Sequence, residues 1–226
     1  MLHVFDAYGT LFDVHSAVAR HRALVGPEAD RLSDLWRTKQ LEYTWTRSLM
    51  GAYRDFMALT EEALDFAAAR CGGLSAEARA KLLSAYETLD AFPDVAPTLA
   101  ALKAKDAKLV ILSNGTPAML ESAVRSAGLA GLLDPSISVA EVGVFKTDSK
   151  VYERVGARYG VAPTQVSFQS SNRWDVAGAA KFGFRAVWIN RTRAPDEYPD
   201  LPPAAVLDDL GGLLALSDRE PSGSQS

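Results

Sequence analysis

"HVFDAYGTLFD", residues 3–13, places an aspartate where an apolar run stops and a tyrosine two positions later. His3-Val4-Phe5 reads as a short buried strand, and Gly9-Thr10 signals a tight turn just beyond Asp6. An aspartate after a strand is often a turn residue or a helix cap. It also stands where open parallel sheets bind their ligands, beyond the carboxyl ends of the strands. The rest of the chain decides between the two.

From Val14 the pattern turns helical for about eighty residues with no strand-like run. "ADRLSDLWRTKQLEYTWTRSLM" sets Leu32, Leu35 and Trp36 at helical spacing, and "YRDFMALTEEALDFAAARCGG" sets Phe56, Ala63, Ala67 and Cys71 along one face. A further helix starts at Ser75, a good N-cap, and repeats Leu82, Tyr86 and Leu89. With "VHSAVARHRALVG" in front, four helices are expected, enough for a small bundle. From residue 95 helices alternate with the strands "KLVILS", "ISVAEV", "QVSFQS" and "RAVWIN". Helices are expected over 117–127, 150–159 and 175–182. Such alternation means βαβ units and a largely parallel sheet covered by helices. The first strand then belongs to the later sheet, which divides the chain into an α/β core, residues 1–13 and 95–226, and an inserted helical unit, residues 14–94. The polar tail "SDREPSGSQS", residues 217–226, is expected to fray.

Composition narrows the function. Of the 226 residues 48% are hydrophobic and 23% charged, values of an ordinary globular protein, and the net charge of -4 gives no general attraction for nucleic acid or membrane surfaces. The single cysteine, Cys71, excludes an internal disulfide and suits a reducing cytoplasm. Asp6 interrupts the first apolar run too early for a signal peptide, and no stretch approaches the roughly 20 apolar residues of a membrane span.

Polar residues cluster at the ends of the expected strands. Ser113 and Asn114 follow "KLVIL", with Thr116 placed to cap a helix that begins at Pro117. Ser113 and nearby backbone N–H groups could hold an anion there, or simply make a strand-to-helix turn. Lys146 precedes a helix capped by Asp148 or Ser149. Lysines are usually solvated, but beside Asp6 this one would neutralise the carboxylate. "SSNRWD", residues 170–175, adds three polar side chains, an aromatic ring and an acid.

The ordered blocks DxYGTLxD, SNG, a lysine before a helix, and SSNxWD resemble the haloacid dehalogenase (HAD) superfamily, and within it the L-2-haloacid dehalogenases. The similarity extends over nearly the whole chain, including "RTKQLEYTWTRSLM". It implies a HAD-like Rossmann-type core with an inserted helical-bundle cap, and hydrolysis of L-2-haloacids to D-2-hydroxyacids through a covalent ester on Asp6. By the resemblance, Asp175 activates or positions water and Lys146 neutralises Asp6 and Asp175. Thr10, Ser170 and Asn172 fix the carboxylate, and Tyr152 supports the polar network. Ser113, with Asn114 and the backbone at Ala7 and Tyr8, binds the substrate carboxylate, and Arg37, Asn114 and Trp174 cradle the halide.

The tyrosine also bears on metal use. The superfamily's phosphatases carry a second aspartate at the position of Tyr8 and acids in the last motif, which together supply a proton donor and a magnesium site. Here Tyr8, Ser170 and Asn172 stand instead, so no cofactor or metal is expected. A magnesium-dependent phosphatase and a catalytically inactive binding protein remain the alternatives. The residues alone leave other roles open: Arg37 could be a surface arginine, Trp174 core packing and Tyr8 a pocket wall. "LEYTW" could serve a homodimer interface, which is common in this family, or the bundle core. Thr147 and Ser149 replace prolines frequent in the family, Gln169 replaces a commonly apolar residue, and His3, His15 and His21 match no catalytic position.

Overall fold

The computed structural model describes residues 1–217. Strand β1, Leu2–Phe5, is wholly buried and lies at the centre of the sheet. Helices α1 (Ser16–Arg20), α2 (Arg22–Val25), α3 (Ala29–Met50), α4 (Phe56–Arg70) and α5 (Ala76–Tyr86) follow before the chain returns through α6 (Val95–Lys103) to β2 (Lys108–Ser113). The remainder alternates: α7 (Pro117–Ser126), β3 (Ile137–Ser138), α8 (Ser149–Tyr159), β4 (Val166–Ser170), α9 (Arg173–Phe182), β5 (Arg185–Ile189), β6 (Ala205–Leu207) and α10 (Gly212–Ser217). Among the described residues six strands stand in the order β3-β2-β1-β4-β5-β6, and every pairing is parallel. Sheet order therefore sets Asp6, at the end of β1, between the ends of β2 and β4, where Ser113 and Ser170 stand.

Local chemistry fixes the helix starts. Ser75 accepts a hydrogen bond from the Ala78 amide, Thr116 from Met119 and Asp148 from Lys150, so each satisfies an orphan donor of the first turn. Leu32 and Trp36 of α3 pack inward, as do Phe56, Ala63 and Ala67 of α4 and Leu82 and Tyr86 of α5.

Three departures from the sequence expectation have physical causes. "VHSAVARHRALVG" forms two short helices, because the backbone at His21 leaves the helical region and α2 buries none of its residues. "ISVAEV" pairs only at Ile137 and Ser138. The Ser138 side chain then accepts from the Ala140 amide and starts a 3-10 turn, an alternative to the strand ladder. Strand β6, three residues between a proline pair and two aspartates, is too short to read from periodicity. Of the expected frayed tail, Ser217 closes α10, and 218–226 lie outside the described residues.

Two connections join the helices to the sheet, and they are laced together. Phe12 bridges Ala91, the Phe92 amide donates to the Leu11 carbonyl, and the Asp13 amide donates to the Asp90 carbonyl. Arg191, just past β5, clamps both. It donates 2.9 Å bonds to the Thr10 carbonyl and to both oxygens of Asp94, and its guanidinium lies 4.1 Å from the Phe92 ring centre. Charged hydrogen bonds of this kind contribute about 1.5–3 kcal/mol each. Arg191→Met is expected to lower the urea midpoint by the equivalent of about 2–3 kcal/mol with an unchanged m value, measured by circular dichroism. An unchanged midpoint would show that the clamp carries no net stability.

Candidate active site

Asp6 ends β1 with its amide donating to the Gln169 carbonyl and its carboxylate 7% exposed. Oδ2 accepts from Asn172 Nδ2 (2.7 Å), Thr10 Oγ1 (3.0 Å) and, more weakly, Ser170 Oγ (3.4 Å). Oδ1 accepts from Lys146 Nζ at 3.0 Å and from no other group among the described residues. These donors are fixed in turn: the Ser171 amide donates to Thr10 Oγ1, and the Asn172 amide donates to Ser170 Oγ.

Lys146 is fully buried and bridges two acids. Its Nζ lies 2.7 Å from Asp175 Oδ2 as well as 3.0 Å from Asp6 Oδ1, and 5.1 Å from the Phe168 ring centre. Burial pulls its pKa down, but the carboxylates of Asp175 and Asp6 more than reverse this, and the ammonium ends above the ordinary lysine value. Asp175, in the first turn of α9, takes a second hydrogen bond on Oδ1 from the Tyr152 hydroxyl at 2.8 Å. Its pKa is raised to about 6. Burial raises it most, Lys146 opposes that, and the Asp6 charge adds to the rise.

Around this triad the chain builds two further features. The loop after Asp6 turns back through Gly9, at φ +90°, and leaves the buried Ala7 and Tyr8 amides without a protein acceptor among the described residues. Successive free N–H groups of this kind make an anion-binding concavity. Across from it, Ser113 Oγ accepts from the Gly115 amide, and Asn114 Oδ1 accepts from the Lys146 amide. Ser113 thus makes the turn that the plainer sequence reading allows, while its hydroxyl proton stays free to donate. Arg37, half-buried on α3, reaches over the strand ends and donates to the Tyr8 carbonyl (3.1 Å) and Asn172 Oδ1 (3.3 Å).

Trp174 stands one residue before Asp175 on α9. It is half-buried and packs edge-on against Trp45 of α3, with ring centres 5.4 Å apart. Both rings line a cleft of about 680 Å³ that also touches Thr147, Tyr152 and Lys181 and leaves out Asp6.

Sequence reasoning missed three residues. Gln40, fully buried one turn beyond Arg37, accepts from Arg37 Nη1 at 2.9 Å and from the Tyr86 hydroxyl at 3.1 Å, and donates to Thr60. A glutamine three positions from an arginine on a mostly apolar face was the available signal. Gly115 gives Tyr8 its seat, since a Cβ there would lie 2.7 Å from the tyrosine ring. Tyr86 stacks on Tyr8 at 5.7 Å and completes an aromatic wall with Phe56.

The donor set does not fit a divalent cation. Magnesium needs several oxygen ligands, with carboxylates to neutralise it, yet here an ammonium already bridges the two acids, and Tyr8 contributes a ring where a third would be needed. No group of three His, Cys, Asp or Glu among the described residues stands close enough to hold a metal.

Comparison with known proteins gives the family. Residues 2–183 match the family model of haloacid dehalogenase-like hydrolases, and the chain belongs to that family. It is 49% identical over 214 residues to (S)-2-haloacid dehalogenase 1 of Pseudomonas sp. (strain CBS-3), covering 94% of each chain. It is 47% identical to (S)-2-haloacid dehalogenase 4A of Burkholderia cepacia, covering 94% of this chain and 93% of that one. The solved structure of the L-2-haloacid dehalogenase of Xanthobacter autotrophicus with chloropropionic acid covalently bound superposes with a TM-score of 0.87 at 37% identity, covering 97% of this chain and 99% of that one.

Removing the bridging ammonium should expose its electrostatic role. Lys146→Ala is expected to lose about 3–5 kcal/mol of stability at pH 7, since it leaves two buried acids uncompensated. The loss should shrink toward pH 5, because without the ammonium the pKa of Asp175 is held above its native value of about 6, so the variant's Asp175 is the more fully protonated of the two and the repulsion is relieved. Urea unfolding at the two pH values measures both, and a pH-independent loss would contradict the account.

Proposed function

We propose that the chain hydrolyses L-2-haloalkanoic acids to D-2-hydroxyacids and halide without a metal or cofactor. The observation that carries this reading is the Asp6 carboxylate, held by four side-chain donors and bridged by Lys146 to Asp175. Oδ2 is fully engaged, so Oδ1, with one donor, keeps a lone pair for attack on the halogen-bearing carbon. The carbon–oxygen bond forms as the carbon–halogen bond breaks, and its electron pair leaves with the halide, which inverts the centre once.

Water then adds to the Asp6 side-chain carbonyl while Asp175 takes its proton. Collapse breaks the bond between that carbonyl carbon and the ester oxygen, a proton returns to the departing hydroxyl, and Asp6 is regenerated. Lys146 keeps the two acids and the substrate carboxylate from repelling one another, with Tyr152 orienting Asp175. Ser113, Asn114 and the free amides of Ala7 and Tyr8 bind the substrate carboxylate. Arg37, Asn114 and Trp174 receive the halide, where a cation stabilises charge that develops only in the transition state.

In this reading residues 14–94 cap a core made of 1–13 and 95–226. The protein acts as a cytoplasmic homodimer on a small-molecule acid, with neither nucleic acid nor membrane as partner. No described helix is long and apolar enough to cross a membrane. The "LEYTW" segment and the neighbouring Leu49, 88% exposed, supply the dimer surface.

Halide release from each enantiomer of 2-chloropropionate, with EDTA throughout, tests the reaction. Release from the L form alone, abolished by Asp6→Asn, is expected. Phosphate-ester hydrolysis that appears only with magnesium would replace this reading with the phosphatase one.

The second step has its own signature. Protonation of Asp175 removes the base, and the ester has lost the Asp6 charge that helps raise Asp175, so ester hydrolysis should slow on a limb below about pH 6 while the halide burst persists. Asp175→Asn should trap the ester at all pH values, seen as added mass on the peptide containing Asp6. An unmodified peptide at full halide release would remove Asp175 from the role of base.

A further inference from the structure

Helix α9 carries Gly178 in its interior, where alanine would favour the helix by roughly 1 kcal/mol. The backbone there approaches α8 and the loop before it closely. A Cβ at position 178 would lie 2.6 Å from the Tyr152 hydroxyl oxygen and 2.8 Å from Thr147 Cβ. Both distances are below any that a real Cβ tolerates, so something would have to move. Three aromatic rings limit how far the tyrosine can shift. Its ring is fully buried among Phe168, Phe182 and Phe184, with centres 6.0, 5.7 and 5.8 Å away. The other interior helical glycine among the described residues, Gly156 of α8, faces only the Val161 carbonyl, at 3.2 Å.

What the close approach permits is the 2.8 Å bond from the Tyr152 hydroxyl to Asp175 Oδ1. Asp175 stands one turn earlier on the helix that carries Gly178, and Thr147 directly follows Lys146, which holds the other oxygen of Asp175. A side chain at 178 would drive α8 and α9 apart at the point where both of Asp175's donors are set. We propose that Gly178 is a positioning residue: its missing side chain lets Tyr152 reach Asp175 and orient that carboxylate for the attack of water on the Asp6 ester. The inference rests on the reading of Asp175 as the base.

The test is a double-mutant cycle of Gly178→Ala and Tyr152→Phe, with single-turnover ester hydrolysis and urea unfolding measured on all four proteins. Gly178→Ala alone is expected to slow ester hydrolysis about 10- to 100-fold, the usual cost of a misplaced catalytic group. The halide burst should change little. The acid limb of the profile should move to higher pH, because the tyrosine bond is one of the effects holding Asp175 down. In the Tyr152→Phe background the hydroxyl it meets is gone, and the same substitution should change ester hydrolysis by less than about 3-fold. The urea midpoint lost in Gly178→Ala should return in part in the double variant, since Thr147 still meets the added side chain.

Should Gly178→Ala not fold by itself, recovery of folded protein by adding Tyr152→Phe supports the proposal, and failure to recover it even when Thr147→Gly also removes the second close contact overturns it. Equal costs in both backgrounds, for rate and midpoint alike, would also overturn it and assign Gly178 to helix packing alone. Native ester hydrolysis in Asp175→Asn would instead overturn the role of Asp175, and with it the catalytic consequence, while the midpoint cycle still reports whether the Gly178–Tyr152 contact exists.

Discussion

A single ammonium group, Lys146 Nζ, organises the site. Taking a lysine fully out of water costs several kcal/mol, and that cost is offset only where opposite charges stand at hydrogen-bond distance. Asp175 at 2.7 Å and Asp6 at 3.0 Å meet the condition. The two acids need Lys146 equally, because buried carboxylates sharing one region repel and would otherwise take up a proton. The trio still carries one excess negative charge. Thr10, Asn172 and Ser170 spread it over Asp6 Oδ2, and Tyr152 holds the free oxygen of Asp175.

This mutual dependence explains the construction of the core. The three charges come from the end of β1, the loop before α8 and the first turn of α9, far apart in sequence. A parallel sheet with β1 between β2 and β4 is what brings those chain ends to one edge. Each contributing segment is held by something other than the ion pairs. The Asp6 amide is bonded to β4, the Lys146 amide to Asn114, and α9 lies against β4 and β5 with small residues on its inner face. The charges are therefore set in place by the sheet and its helices, and preorganisation of this sort lets a site act on developing charge without rearranging first.

How far the sequence announces all this depends on the kind of signal. The α/β alternation and the helical insert were legible, because burial on both faces of a strand or on one face of a helix imposes a period on the residues. The helix caps at Ser75 and Thr116, and Asp148 as one of two candidates with Ser149, were legible because a short polar side chain before an apolar stripe has few other uses. Gly115 and Gly178 were not, since their value lies in what approaches them from elsewhere in the chain, the Tyr8 ring and the Tyr152 hydroxyl. Gln40 escaped for a related reason: its partners Arg37, Tyr86 and Thr60 sit on three helices whose packing no local pattern specifies. Gln169, unexplained in the sequence, points away from the site to Ser167 at 2.6 Å, and its own carbonyl oxygen has no donor among the described residues, for which the structure offers no account.

The position of Tyr8 joins these threads. An acid there would face Arg37 and stand within reach of Asp6, adding a further negative charge to a trio that already holds one too many. Tyr8 instead has its hydroxyl pKa pushed far up, first by burial and then by Tyr86, so it stays neutral. It extends an apolar wall through Tyr86 and Phe56 to Phe145, the residue just before Lys146. That wall lowers the local dielectric around the ammonium and the carboxylates and so strengthens every charge interaction among them. Arg37 crosses the same wall to reach the Tyr8 carbonyl and Asn172, and it carries the one guanidinium from the helical segment into contact with Asp6's own donor. A neutral ring at this position thus does two things that a second acid could not. It leaves the lysine as the counter-charge of both carboxylates, and it keeps the space above Asp6 dry enough for a carboxylate to act as a nucleophile at carbon.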